Sequence, residues 1–123
     1  MPNIGFFDIP ADDVDRAKNF YTGLLGWTIE PLAGFPDPAQ RRHSIVTGPA
    51  GDGTVNTGGL YQRHGSNGIM DFVLVSDLDA VLAKVGPLGG KIVLEKTSIE
   101  AVGSFAVIQD TEGNILGLLQ RPA

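Results

Sequence analysis

The chain contains no cysteine. That absence removes thiol nucleophiles, redox pairs, Cys-rich zinc sites and iron–sulfur clusters, all of which need a thiolate. Histidine is limited to His43, which opens an apolar strand-like segment, and His64, in a turn-rich stretch. For each, a solvated or hydrogen-bonded side chain is the ordinary expectation. Basic residues are few: nine Lys and Arg against fourteen Asp and Glu give a net charge of -5 and a pI near 4.7. Nucleic-acid affinity rests on Lys and Arg releasing counterions, so no nucleic-acid partner is expected, and the densest basic cluster, "QRRH" at 40 to 43, is too short to form a footprint. No apolar run approaches the roughly 20 residues that cross a bilayer, and no membrane partner is expected. "MPNIGFFDIPADD" at the start lacks the basic and small-residue pattern of a secretory signal, so a cytoplasmic protein is expected, and the lack of cysteine is compatible with that. At 123 residues the chain has the length of one domain, able to bury a core without disulfides or a structural metal.

What is present is a phrase written twice. "NIGFFDIPADDVDRAKNF" at 3 to 20 returns as "NGIMDFVLVSDLDAVLAK" at 67 to 84. Setting residue n beside n+64 pairs Phe6 with Met70, Ile9 with Val73, Asp13 with Asp77, Asp15 with Asp79, Tyr21 with Val85 and Gly26 with Gly90. Each copy begins with a short apolar segment suited to a strand, then meets a helix-start signal. Asp12 three residues before Asp15, and Ser76 three before Asp79, resemble capping boxes, and the clustered acids suit the positive end of a helix dipole. Capping is accordingly the better account of Asp12, Asp13, Asp15, Asp77 and Asp79 than paired catalytic carboxylates. Helical spacing follows in Val14, Ala17, Tyr21 and Leu24, and in Leu78, Val81, Leu82 and Val85. Gly23 with Gly26, and Gly86-Pro87 with Gly89-Gly90, are the expected stops.

Strand patterns come next: "WTIE" at 27 to 30 and "KIVLE" at 91 to 95, then "HSIVTG" at 43 to 48 and "FAVIQD" at 105 to 110. "GLYQR" at 59 to 63 and "GLLQR" at 117 to 121 close the copies. The expected fold is α+β: two βαβββ modules, about 1–64 and 65–123 of a single domain, forming curved mixed sheets around a shared cleft with the helices outside. Two copies are too few for a solenoid, whereas a cleft between modules is where small-molecule sites tend to form.

The phrases "DVDRAKNFYTGLLGW", "DLDAVLAKV" and "DTEGNILGL" resemble the vicinal oxygen chelate superfamily, which includes glyoxalase I, extradiol dioxygenases and bleomycin-binding resistance proteins. The resemblance runs over essentially the whole chain, with Thr111 standing where the family commonly has proline. Family metal enzymes place one ligand on the first and one on the last strand of each module, usually His, Gln or Glu. The resemblance puts those positions at Phe6, Gly59, Met70 and Gly117, none of which can donate a carboxylate or an imidazole. Neither a metal nor another cofactor is therefore expected.

Asp8 lies two residues from Phe6 and so shares its sheet face. It is a candidate ligand contact and a candidate general base if burial raises its pKa; a half-exposed acid near the cleft mouth is the plainer alternative. Strand alternation lines the expected cleft with Phe6, Asp8, Gly59, Tyr61, Met70, Phe72, Gly117 and Leu119, unless these side chains simply interdigitate as core. "EPLAGFPDPAQRR" at 30 to 42, with Phe35, is long enough to arch over it as a lid, with a plain surface connector as the default reading. The glycine-rich "GPAGDG" at 48 to 53 lacks the ending of a phosphate loop and reads as a hairpin, and "GSNG" at 65 to 68 reads as a turn. The resemblance implies a metal-free protein that binds a small, partly apolar organic molecule and forms a homodimer; the acidic chain would favour cationic ligands at long range. Whether it catalyses a reaction stays open. The alternatives are a metal-dependent lyase, isomerase or dioxygenase with displaced ligands such as Asp8, His43, His64 or Glu95, a cofactorless enzyme with Asp8 as base, and a non-catalytic interaction domain.

Overall fold

Eight strands and two helices follow one another in the order β1 (Asn3–Ala11), α1 (Val14–Leu25), β2 (Thr28–Pro31), β3 (Arg42–Val46), β4 (Thr57–Gln62), β5 (Met70–Leu74), α2 (Leu78–Val85), β6 (Lys91–Ile99), β7 (Gly103–Gln109) and β8 (Ile115–Gln120). This computed structural model describes residues 2–33, 41–49, 55–65, 68–99 and 102–122. The fold is α+β, with βαβββ written twice as the repeat implies. The chain divides into two compact units, Phe6–Ile69 and Met1–Gly5 together with Met70–Ala123.

In the first unit the strands run β2-β3-β4-β1. The β1/β4 pair is parallel, while β2/β3 and β3/β4 are antiparallel. One sheet face carries Ile9, Ala11, Ile29, Ile45 and Leu60, which bury with Val14 of α1, and Phe7, Ala17, Tyr21 and Trp27 pack around them. Leu60 is fully buried and Ile45 nearly so; each such side chain contributes roughly 1.5–3 kcal/mol. Tyr21 stacks on Trp27 with ring centroids 5.4 Å apart. That stack closes the core one turn before Leu24, which is 64% exposed against the helical-spacing expectation.

The second unit repeats the plan as β5-β8-β7-β6. Here β5/β8 is parallel, and β6/β7 and β7/β8 are antiparallel. Its core joins Val75, Leu78, Ala106 and Leu118, with Val73, Val81, Leu82 and Ile108 packed against it. β6 extends four residues beyond the expected segment and remains exposed along nearly its whole length, with register shifts after Ile92 and Leu94. Such irregularities suit a strand that lies at the end of a sheet.

The helix caps sit one residue later than the capping-box spacing suggests. The Asp13 side chain accepts from the Arg16 N–H and Asp77 from the Ala80 N–H. Asp12 instead pairs with Arg63 at 2.9 Å, Asp15 with Arg41 at 2.8 Å and Asp79 with Lys96 at 3.1 Å. The reason is geometric: a cap must reach the free N–H groups of the first turn, and the helices begin at Val14 and Leu78. Gly23 falls inside α1, and the helix stops at Gly26, whose φ of 71° is the left-handed cap conformation. The "DTEGN" turn is held by Asp110, whose carboxylate accepts from the backbone N–H groups of Glu112 and Asn114 and from the Asn114 side chain.

Candidate functional site

Register places the candidate residues. Asp8 on β1 lies level with Gly59 on β4. Across β3, Ser44 lies level with Gly59 and Arg42 with Tyr61. Alternation then sets Phe6, Asp8, Arg42, Gly59 and Tyr61 on one face of the first unit, and Phe7, Ile9, His43, Ile45 and Leu60 on the opposite, helix-packed face.

Asp8 is buried rather than half-exposed. Its side chain is 7% exposed and accepts a hydrogen bond from Arg42 Nη2 at 2.5 Å. The guanidinium carbon of Arg42 lies 5.0 Å from the centroid of the Tyr61 ring, a cation–π distance. Gly59 makes room for the pair: a Cβ there would stand 2.5 Å from Asp8 Oδ1, 2.7 Å from Arg42 Nη2 and 3.4 Å from Phe6 Cζ. Burial pushes the Asp8 carboxyl up to about 6, against the opposing pull of the Arg42 charge and hydrogen bond. The arrangement can therefore take up and release a proton near neutrality beside a fixed guanidinium. Gly59→Ala should force the short, buried Asp8 side chain aside and cost about 1–3 kcal/mol, read from urea denaturation; an unchanged midpoint would show that the pair does not need this space.

The second unit carries the same lattice with different chemistry. Phe72, 64 positions after Asp8, lies level with Gly117. Phe105 lies level with Leu119, as Arg42 lies level with Tyr61. Phe72 and Phe105 meet edge to face with centroids 6.4 Å apart, so an aromatic pair stands where the first unit has an ion pair. The Phe72 ring occupies the space above Gly117. Met70 is half-buried, while Leu119 is buried and borders an open groove of about 450 Å³ with Leu74, Val75, Ser76, Gln120 and Arg121.

Phe6, Asp8, Gly59 and Tyr61 are thus brought together in one unit, and Phe72, Gly117 and Leu119 share a face in the other. Arg42 was the residue missed. Its place in "QRRH" marks it as surface charge, and only the β3–β4 register reveals that it faces Asp8. His43 departs from expectation as well. It is 1% exposed, and its Nδ1 is buried with no hydrogen-bond partner among the described residues. Strand alternation turns it into the helix-packed core, where burial, helped by Arg41 and Lys18 and opposed by Asp15, holds the imidazole below its usual pKa. His64 and Glu95 are exposed. The segment 34–40, including Phe35 of the lid-or-connector segment, and residues 50–54 and 66–67 lie outside the described residues.

The residues do not fit a divalent ion at the positions the family uses. Phe6 has no donor atom, Gly59 and Gly117 have no side chain, and the Met70 thioether is a soft ligand. A cation drawn to Asp8 would meet the Arg42 guanidinium at the same oxygen. Of the displaced candidates, Asp8 and His43 lie on opposite faces of one sheet and so do not converge on one ion. No group of three or more His, Asp or Glu side chains placed to hold a metal occurs among the described residues.

Known proteins resemble this chain in sequence and in fold. A family model described as bleomycin resistance protein-like N-terminal matches residues 4–38. A glyoxylase-like domain-containing protein of Didymella fabae is 32% identical over 124 residues, covering 97% of this chain and 94% of its own length. The anthracycline biosynthesis protein DnrV of Streptomyces peucetius is 30% identical over 128 residues; the match covers 88% of this chain but 43% of that protein, so the chain spans less than half of this relative. Among solved structures, methylmalonyl-CoA epimerase from Mycobacterium tuberculosis superposes with a TM-score of 0.72 at 20% identity, covering 98% of this chain and 88% of that one, a likeness of fold. No helix among the described residues is long and apolar enough to cross a membrane.

Proposed function

Because this chain belongs to the vicinal oxygen chelate superfamily, and carries Phe6, Gly59, Met70 and Gly117 where the superfamily's metal enzymes carry ligands, we propose that it binds a small, partly apolar organic molecule without a divalent metal. Asp8 and Tyr61 supply polar contacts, Phe6 supplies aromatic surface and Gly59 supplies room. Met70, Phe72, Gly117 and Leu119 are the corresponding apolar positions of the second unit. The observation that carries the reading is the Asp8–Arg42 pair seated over Gly59, which puts a buried polar group among aromatic side chains, the composition of small-ligand sites. A relative lends support by name, since anthracycline biosynthesis concerns small molecules.

Native mass spectrometry of gently purified protein, before and after dialysis against EDTA, tests the proposal. A bound organic molecule that survives chelation is expected. Near-stoichiometric zinc, nickel, iron or manganese, lost in Asp8→Asn, would overturn it. One observation favours a second reading, proton abstraction from the bound molecule by Asp8, because a carboxyl raised to about 6 by burial suits a general base near neutral pH. In that case Asp8→Asn abolishes turnover and retains binding. The reading takes the chain as one domain of two modules, cytoplasmic and homodimeric, the last tested by sedimentation equilibrium.

A further inference from the structure

We infer that the molecule received at this face is an organic anion, a carboxylate or similar oxyanion on an aromatic or other apolar body, which binds Arg42 as Asp8 takes up a proton. The inference rests on the metal-free reading above and names its ligand class. Arg42 presents several N–H donors in a planar fork suited to two-point recognition of an oxyanion. One of these nitrogens is directed to Asp8 and the guanidinium lies over Tyr61, yet a quarter of the side chain remains exposed. While Asp8 is ionised, the pair is close to neutral and an arriving anion meets a like charge at short range. Protonation of Asp8 releases the full positive charge of Arg42 to the ligand.

The other groups on this face do little to change that balance. Phe6 and Pro10 of β1 carry no charge, Tyr61 of β4 presents a phenol ring, and Glu30 of β2 lies in the row of Ser44, Gly59 and Asp8 but three strands from Asp8. Among the described residues, Arg42 is the charge that acts on Asp8. The net charge of -5 acts at long range and is screened beyond about 8 Å at physiological ionic strength, whereas a desolvated contact with Arg42 is not. The local cation therefore outweighs the acidic chain. A carboxyl that titrates at about 6 is protonated in roughly one molecule in ten at pH 7, so anion affinity should fall about tenfold per pH unit above neutrality.

Benzoate, benzamide and benzamidinium share a ring and nearly a size while carrying negative, zero and positive charge. Titrating each into the full chain from pH 6 to 8, by NMR for affinity and by calorimetry in buffers of different ionisation enthalpy, separates the outcomes. Benzoate should bind most tightly, with uptake approaching one proton above pH 7. Asp8→Asn should bind benzoate with little pH dependence, and Arg42→Gln should weaken benzoate at least about tenfold and more than benzamide. Preference for benzamide or benzamidinium, or benzoate binding with no proton uptake, would overturn this inference and leave the metal-free reading standing. Failure of all three to bind folded protein, with binding appearing once zinc is added, would overturn both.

Discussion

Arg42→Met should destabilise the folded chain by about 2 kcal/mol at pH 7.5 and by much less at pH 5. The loss comes from a carboxylate left buried without its counter-charge. Asp8 is 7% exposed on its side chain and bonds to Arg42. Its carboxyl stands at about 6 with Arg42 present, because burial outweighs the pair. A folded-state value above the unfolded one, near 4, means that the contribution of Asp8 to stability is present below about pH 4 and is lost as pH rises through about 6. Without Arg42 the carboxyl rises further, and the loss continues to higher pH. The gap between variant and parent therefore opens above pH 6, as urea denaturation at the two pH values would read. An equal cost at both would mean that Arg42 acts through packing of its stem rather than through charge.

His43→Leu should do the reverse and stabilise the protein by about 1–2 kcal/mol at pH 7.5, and by more at pH 5.5. A buried imidazole nitrogen with no partner forfeits its hydration without return. The second unit shows the apolar solution: Ala106 lies level with Leu118 as His43 lies level with Leu60, and Ala106 is fully buried. Burial lowers the folded-state value of His43, so the stability associated with the neutral ring is present above about pH 6.5 and is lost as pH falls. This runs opposite to Asp8, so the two contributions partly offset each other in the parent as pH changes. Thermal or urea unfolding of His43→Leu across that range separates them. Destabilisation at neutral pH would show that the imidazole is satisfied and that its shape is required.

The repeat made most of the fold legible. Offset pairing of the two phrases located both helices and the paired strands, because helix starts, glycine stops and apolar alternation are local signals. Boundaries slipped where local signals compete: several acids crowd each helix start, and only the first turn's geometry selects Asp13 and Asp77 over Asp12 and Ser76. The candidate site was half legible. Alternation set Asp8 beside Phe6, and the closing phrases led to Gly59 and Tyr61. Arg42 was not legible because its partner is 34 residues away, and that pairing depends on the parallel β1/β4 and antiparallel β3/β4 registers together. His43 was misjudged for a related reason. A lone histidine reads as a solvated side chain by residue type, yet alternation puts His43 on the same face as Ile45 two residues on, and that face is the core.

Proton-coupled anion binding at this face depends on one carboxyl group. Carbon-13 NMR of Asp8 Cγ, titrated from pH 3 to 9 with and without benzoate, measures it directly. The midpoint should lie near 6 in the free protein and move clearly upward with benzoate bound. A midpoint in the ordinary aspartate range, unmoved by benzoate, would contradict it.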